Sequence, residues 1–315
     1  MPFLCRLFGK SYQAYYKHHS SVEKQLATEM MVLRFIKEKR LKDPGIGGEK
    51  LHYLYKQRFG ENYEYAVGRD KMESIISKYG LNVRKPRKRP RTTDSGHGLP
   101  TYPNLVKNVI PERCNQIWVS DITYIPVWRY PGEDERNFCY LSLITDCYTK
   151  EIVGWCVGPT LEAKHSIDAL YMALERLCGE EPFNLIHHSD RGVQYASAEY
   201  VCILKQADIE ISMTECGDPK DNAVAERVNG IIKNELLKDF AFYSIGEVRK
   251  AVAKAVDFYN NERPHMSLNN MTPSQAAKCT GRIQKKWTSY RERYLDSLVI
   301  QPGATVFASL NPEFG

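Results

Sequence analysis

The chain is 315 residues long, with 43% apolar and 26% charged residues, a composition that suits a globular protein with one sizeable core and one or two smaller units. Its nine cysteines are scattered without a Cys-x-x-Cys pair, which argues against a structural zinc site and against a secreted disulfide framework. The net charge of +6 is uneven: residues 1–95 carry 21 Lys+Arg against 10 Asp+Glu, net +11, and residues 96–315 carry 23 against 28, net −5. The front third therefore has the charge of a polyanion binder. The opening MPFLCRLFGK is broken by charge too soon for a signal peptide, and no apolar run reaches the roughly 18 residues of a membrane span, so a cytoplasmic protein without a membrane partner is expected.

In chain order, residues 1–40 read as a helical segment, with Val22, Leu26, Met30, Leu33 and Ile36 forming a partial stripe. A Pro/Gly-rich break, DPGIGG, follows at 43–48; it lacks the Gly-x4-Gly-Lys-Ser/Thr spacing of a phosphate loop. Residues 49–59 and 69–79 read as two short helices, with stripes Leu51, Leu54, Tyr55, Phe59 and Met72, Ile75, Ile76, Tyr79, the second ended by Gly80. Joined by a tight connection, they suggest a helix-turn-helix within 41–95, a pattern that a plain helical hairpin shares. Arg84, Lys85, Arg87, Lys88, Arg89 and Arg91 place six basic residues in eight positions, with two prolines among them. Such a tract is either a solvated linker or an arm lying along DNA phosphates. Residues 96–112 are polar and Gly/Pro-marked, and read as a linker.

A core domain is expected over 113–280. Residues 116–128 are rich in β-branched and aromatic side chains and read as a strand, on which Ile117, Val119, Asp121, Thr123 and Ile125 share one face. A carboxylate there is costly unless it is paired or binds a metal. A hairpin loop at 131–137 and strands at 138–146 and 152–157 complete an antiparallel meander. A helix at 161–177, a strand at 183–188, the turn HHSDRG with Asp190, a helix at 197–206 and a strand at 209–213 follow. The next helix, 218–237, opens on Asp218 and Pro219, an acidic cap and a proline at the first position, with Asp221 in its first turn. Val224, Val228, Ile231 and Ile232 fall on one face; Glu226 falls opposite, with Asn222 and Asn229 beside it. Lys233 returns to within about 20° of Glu226 and lies roughly 10 Å along the axis.

This order of elements is the ribonuclease H-like arrangement, an α/β fold with a mixed five-stranded sheet and flanking helices, here preceded by a small all-α domain. It would bring Asp121, Asp190 and Glu226 to one edge of the sheet. Converging carboxylates without His or Cys ligands suit Mg²⁺ or Mn²⁺. Two such ions about 3.5–4 Å apart would activate an attacking oxygen and stabilise the leaving oxygen of a phosphodiester.

Thirty-five residues separate Asp190 from Glu226, the D,D(35)E spacing of retroviral integrases and insertion-sequence transposases. The strings WVSDITYI, HHSDRGVQYAS, GDPKDNAVAERVNGIIKNEL and YNNERPHMSLNNMTP resemble the second-reading-frame product of IS3-family transposases, in order and over most of the chain. The resemblance implies a DNA transposase that cuts at the element's ends and joins the freed 3′-hydroxyl to another phosphodiester. Asp121, Asp190 and Glu226 then match the catalytic metal ligands, and Lys233 matches a basic residue that holds the element's DNA end. Gln194 and His188 sit in the second motif, as support or as local packing. Asp146 is a candidate fourth ligand, though the family triad is complete without it. Arg263, Pro264 and His265 lie in a family motif, where packing is the safer reading. The implied partners are double-stranded DNA (terminal inverted repeats and target), further copies of the chain on that DNA, and the upstream-frame protein as a frameshift fusion. The implied setting is a bacterial cytoplasm, with nucleoid association when DNA is bound. Residues 281–315 are a tail only partly matched. The competing readings are an inactive DNA-binding relic and a structure-specific nuclease of the same fold.

Overall fold

The computed structural model of the protein describes residues 9, 11–60, 64–83, 98–107, 109–128, 136–177, 184–215 and 222–283. The chain divides into two compact units, one made from 1–93, 124–139 and 227–258, the other from 94–123, 140–226 and 259–315.

In the first unit, helix α1 (Tyr12–Lys42) starts where the Ser11 hydroxyl accepts the Ala14 N–H at 3.0 Å. Val32, Phe35 and Ile36 of α1 share one core with Leu51 and Tyr55 of α2 (Gly48–Phe59) and Met72, Ile75 and Ile76 of α3 (Arg69–Lys78). The expected stripe of α1 is corrected in its front half: Val22, Leu26 and Met30 are exposed. With 31 residues against 12 and 10, α1 is too long for its two neighbours to cover. The buried position next to Met30 is taken by Glu29. Its carboxylate accepts from the Lys78 ammonium at 2.7 Å, the Gln25 amide at 3.0 Å and the Tyr79 hydroxyl at 2.8 Å. The Lys78 hydrogen bond first, then those of Gln25 and Tyr79, hold its pKa at about 2 against the opposing effect of burial.

Two further expectations change here. Residues 60–68 separate α2 from α3, longer than the 3–4-residue turn typical of a helix-turn-helix, so the connection is not tight. The DPGIGG break is also a docking contact. The Gly45 N–H donates to the Glu235 carbonyl at 3.1 Å, and a Cβ at Gly45 would lie 2.6 Å from the Glu235 Cα. Lys50 pairs with the Glu235 carboxylate at 3.4 Å.

The five strands are β1 (Ile117–Trp128), β2 (Arg136–Asp146), β3 (Ile152–Gly158), β4 (Ile186–Ser189) and β5 (Glu210–Met213), in the order β3-β2-β1-β4-β5. The pair β2/β3 is antiparallel, while β1/β4 and β4/β5 are parallel. This is the mixed, ribonuclease H-like sheet that the order of elements predicts.

Alternation along β1 feeds two cores. Trp118 joins Ile144, Val153, Leu170 of α4 (Ala163–Glu175), Tyr195 of α5 (Val193–Ala196) and Tyr200 and Leu204 of α6 (Ala198–Gln206). Ile117 and Val119 join Val106, Cys147 and Ala225 of α7 (Ala223–Ile231).

The helix expected over 218–237 is α-helical only to Ile231. Residues Ile232–Leu236 form a π segment closed by the Leu237 N–H to Ile232 carbonyl bond at 2.9 Å, five residues apart. An α-helical phase therefore cannot be carried through to Lys233. The cap residues Asp218 and Pro219, with Asp221, lie outside the described residues, as do most of the 131–137 loop, the basic tract from Arg84 to Arg91 and the tail beyond residue 283. The sequence reading assigns no helix or strand to 238–258, where most of α8 (Ile245–Asn261) forms; the helix buries Val248, Val252, Ala255, Val256 and Tyr259. In the second unit the Asn260 amide brackets Ile152, accepting its N–H and donating to its carbonyl, both at 3.0 Å. Arg263 is buried, with the His265 Nε2 at 3.4 Å and the Tyr259 ring centroid at 5.9 Å, a packing role.

Candidate active site

The register of β1 against β4 positions the first two carboxylates. Trp118 pairs with His187 and Val119 with His188. Two residues beyond the Val119–His188 pair come Asp121 and Asp190. Paired residues of adjacent strands point to the same face, and neighbouring strands lie about 4.8 Å apart. Asp121, within β1, and Asp190, just past the end of β4, thus each follow that pair by two residues. The Tyr195 hydroxyl has its pKa raised by burial first, then by Tyr200, Asp190 and Asp121.

Each carboxylate is also tied to the local backbone. Asp121 Oδ1 accepts the Ile122 N–H at 2.9 Å, and Asp190 Oδ1 accepts the Gly192 N–H at 3.0 Å. A Cβ at Gly192 would lie 2.9 Å from that same Oδ1, so glycine there leaves the carboxylate its turn.

The third acid arrives on α7. Ala225 and Val224 pack in the core that holds Ile117 and Val119, which puts the start of α7 on the Asp121 face of the sheet. The Asn222 amide donates to the Ser120 carbonyl at 2.8 Å, fastening the helix start one residue from Asp121. Glu226, whose N–H donates to the Asn222 carbonyl, is exposed one turn later. Asn222 and Asn229, expected beside Glu226 on the polar face, are buried instead, 6% and 5% exposed. Asn222 is a tether that hydropathy alone does not distinguish from a solvated neighbour.

Asp146 is not arranged as a fourth ligand. It is 1% exposed, and it accepts the N–H groups of Asn115, Tyr148 and Thr149 and the Thr149 hydroxyl at 2.7–3.0 Å. Its lone pairs hold the turn between β2 and β3, and burial raises its pKa against those donors. His188 packs through Nδ1, 2.8 Å from the Ser212 hydroxyl. The Gln194 amide donates to the Leu161 carbonyl at 2.8 Å. Lys233 is half-buried in the π segment, its ammonium 3.4 Å from the centroid of the Tyr124 ring, a cation–π contact with no signal in the sequence spacing.

Beneath this edge lies a buried polar chain that the sequence reading does not anticipate. His187 Nε2 stands 2.7 Å from the Ser120 hydroxyl and 2.9 Å from the Tyr200 hydroxyl. The Tyr195 ring packs on both His187 and Tyr200, and its hydroxyl has no hydrogen-bond partner among the described residues.

Models of the integrase core domain match residues 111–219 and 207–273. The transposase for insertion sequence element IS629 of Shigella sonnei is 33% identical over 67% of this chain and 68% of its own length. Transposase InsF for insertion sequence IS3A of Escherichia coli is 32% identical over 64% of this chain and 67% of its own. The chain belongs to the insertion-sequence transposases with an integrase core. The transposase is thus a DNA-transposing enzyme of the DDE polynucleotidyl transferase type. Among solved structures, the HTLV-2 integrase catalytic core domain in complex with magnesium aligns at a TM-score of 0.39, with 19% identity, over 52% of the transposase and 97% of the viral domain. No described helix is long and apolar enough to cross a membrane.

Proposed function

We propose that Asp121, Asp190 and Glu226 form the metal-holding centre at which the transposase cuts DNA at its element's ends and joins the freed 3′-hydroxyl to a second phosphodiester. The observation that supports this is the parallel β1/β4 register, whose Val119–His188 pair precedes Asp121 and Asp190 by two residues each, with the start of α7 fastened to Ser120 through Asn222. The donor set fits hard divalent cations: three carboxylates, with the His187 ring engaged by hydroxyls and the His188 Nδ1 engaged by Ser212. Two ions of Mg²⁺ or Mn²⁺ would supply Lewis-acid polarisation of the reacting phosphate and stabilise the leaving oxygen. The chain's own residues set the geometry. The Gly192 and Ile122 amides orient one oxygen of Asp190 and of Asp121, and the Asn222 tether fixes where the helix that carries Glu226 starts. In the joining step the 3′-oxygen forms a new P–O bond as the 3′-oxygen of the attacked strand leaves.

The DNA contacts follow from charge. The front unit and its tract Arg84, Lys85, Arg87, Lys88, Arg89 and Arg91 supply most of the affinity, and copies of the chain pair two ends, with the upstream-frame part added by frameshifting. Neutralising the six basic residues of the full chain should flatten the dependence of DNA binding on salt, by about one unit of slope for each phosphate no longer neutralised; an unchanged slope assigns the tract to a solvated linker.

Lys233 holds the terminal DNA in this scheme, and Gln194 supports the second motif. Lys233→Ala should cost about 0.5–2 kcal/mol of stability by removing the cation from the Tyr124 ring, slow joining of end-containing DNA, and leave the Mg²⁺ requirement unchanged, with Lys233→Arg retaining more activity. Full joining by Lys233→Ala removes it from the site.

The reaction itself is tested by incubating the full chain with a linear duplex carrying the element end and Mg²⁺. Cut and joined products are expected. Cutting without joining identifies a nuclease of the same fold, and binding with neither identifies a relic.

A further inference from the structure

Away from the carboxylate edge, β3 and the start of α4 bring a thiol, an imidazole and a carboxylate together. Cys156, His165 and Asp168 each offer one ligand atom, and the three atoms lie within 4.8 Å of one another. The Cys156 sulfur is 3.7 Å from Asp168 Oδ2, and His165 Nδ1 is 3.9 Å from the same oxygen. Ligand atoms at about 2.0–2.3 Å from a zinc ion, spread at the tetrahedral angle, stand roughly 3.3–3.7 Å apart, so modest side-chain shifts would close the set on one ion.

The grouping is built by packing. His165 and Asp168 are three residues apart on α4 and share a face. Gly154 and Gly158 let the helix close on β3: a Cβ at Gly154 would lie 2.1 Å from the Ala169 carbonyl oxygen, and one at Gly158 would lie 2.1 Å from the His165 ring. The other ring nitrogen, His165 Nε2, is 3.5 Å from the Thr160 hydroxyl. Metal-bound histidines commonly donate their second N–H to such an oxygen, which fixes the ligating nitrogen as Nδ1. Asp168 is 48% and His165 14% exposed, so a dissolved ion can reach the set.

We propose that Cys156, His165 and Asp168 bind one zinc-like divalent ion, with water in the fourth position, as a clip pinning the start of α4 to β3. The donors differ from the all-carboxylate set at the sheet edge: a thiolate and an imidazole select Zn²⁺ or Co²⁺ over Mg²⁺. Binding releases the Cys156 thiol proton to solvent and forms a sulfur–metal bond, so affinity falls as pH is lowered. The spacing in the chain matches no zinc motif; the fold alone brings the three together.

Co²⁺ titration of the full chain carrying Asp121→Asn, which weakens ion binding at the carboxylate edge, tests this directly. The expected result is a near-ultraviolet sulfur-to-cobalt band and visible bands of tetrahedral intensity that saturate at one equivalent and bleach on adding Zn²⁺. Adding Cys156→Ser should abolish the ultraviolet band, and His165→Ala should weaken Co²⁺ binding by at least ~10-fold, while Cys202→Ser, at an exposed cysteine outside the cluster, should change neither. Zn²⁺ should raise the melting temperature of the parent and not of the Cys156→Ser chain. A sulfur band that survives Cys156→Ser, or no saturable band in the parent, overturns the proposal.

Discussion

Asp121→Asn, Asp190→Asn and Glu226→Gln are each expected to lower both cutting and joining by at least ~10³-fold and to leave DNA binding and the melting temperature close to wild type. Each exchange removes one negative charge and keeps the side-chain shape. The two asparagines retain an oxygen for the Ile122 and Gly192 N–H groups that Asp121 and Asp190 now accept, so the turns should stand. Glu226 is exposed and its loss opens no cavity. Under the proposed metal centre the three acids act as a unit, so any two of these changes together should cost little more than one. Asp146→Asn is the contrasting substitution. Its second oxygen accepts the Asn115 N–H at 2.7 Å, and an amide turned there would set donor against donor. That should cost about 1–3 kcal/mol of stability without a matching loss of chemistry per folded molecule. Strand-transfer gels beside thermal melts of the four variants give the answer. Near-normal joining by any of the first three would strike that residue from the centre.

Much of this is legible in the sequence because the fold makes its strongest demands where the sequence is most patterned. Along β1, Trp118 goes to one core while Ile117 and Val119 go to the other; that alternation and the chain order of strands and helices suffice to put Asp121 on β1 and Asp190 just past β4. A stripe is present in α8 as well, since Val248, Val252, Ala255, Val256 and Tyr259 recur at helical spacing, but no chemistry-bearing motif draws attention to it. Other features depend on contacts that no local pattern encodes. Whether Asn222 meets water or the Ser120 carbonyl is decided by where α7 docks. The seating of Lys233 on Tyr124 requires residues more than a hundred positions apart, and it falls in the π segment at Ile232–Leu236, where α-helical spacing no longer applies. In α1 the periodic stripe is present but its partners are too short, so Leu26 and Met30 stay exposed while Glu29 is buried against Lys78 and Tyr79.

Acid should weaken the fold well before the carboxylates are protonated, and His187 should be the main cause. The ring lies between β1 and α6, and its pKa is pushed down to about 3 by burial first and by His188 second. The titratable groups around it are His188 on its own strand, Tyr195 on α5 and Tyr200 on α6; both tyrosines have raised pKa values and are neutral in this range. In the unfolded chain the same imidazole takes up a proton near pH 6.5. Between pH 6.5 and pH 3 the unfolded state therefore binds more protons than the native one, and stability must fall as pH is lowered through that window. At about 1.4 kcal/mol per pH unit, moving from pH 7.5 to pH 4.5 should remove roughly 2–3 kcal/mol. The network also joins β1 to β4 beside the proposed metal centre, since Ser120 precedes Asp121 and bonds the His187 ring at 2.7 Å. Loss of DNA joining on acidification is then expected to track unfolding. Urea unfolding at the two pH values measures the loss, and His187→Gln, which keeps a polar group beside Ser120 and Tyr200 but does not titrate, should be less stable at pH 7.5 and lose much less on going to pH 4.5. If the variant shows the wild-type difference between the two pH values, the acid sensitivity arises elsewhere and His187 is not its source.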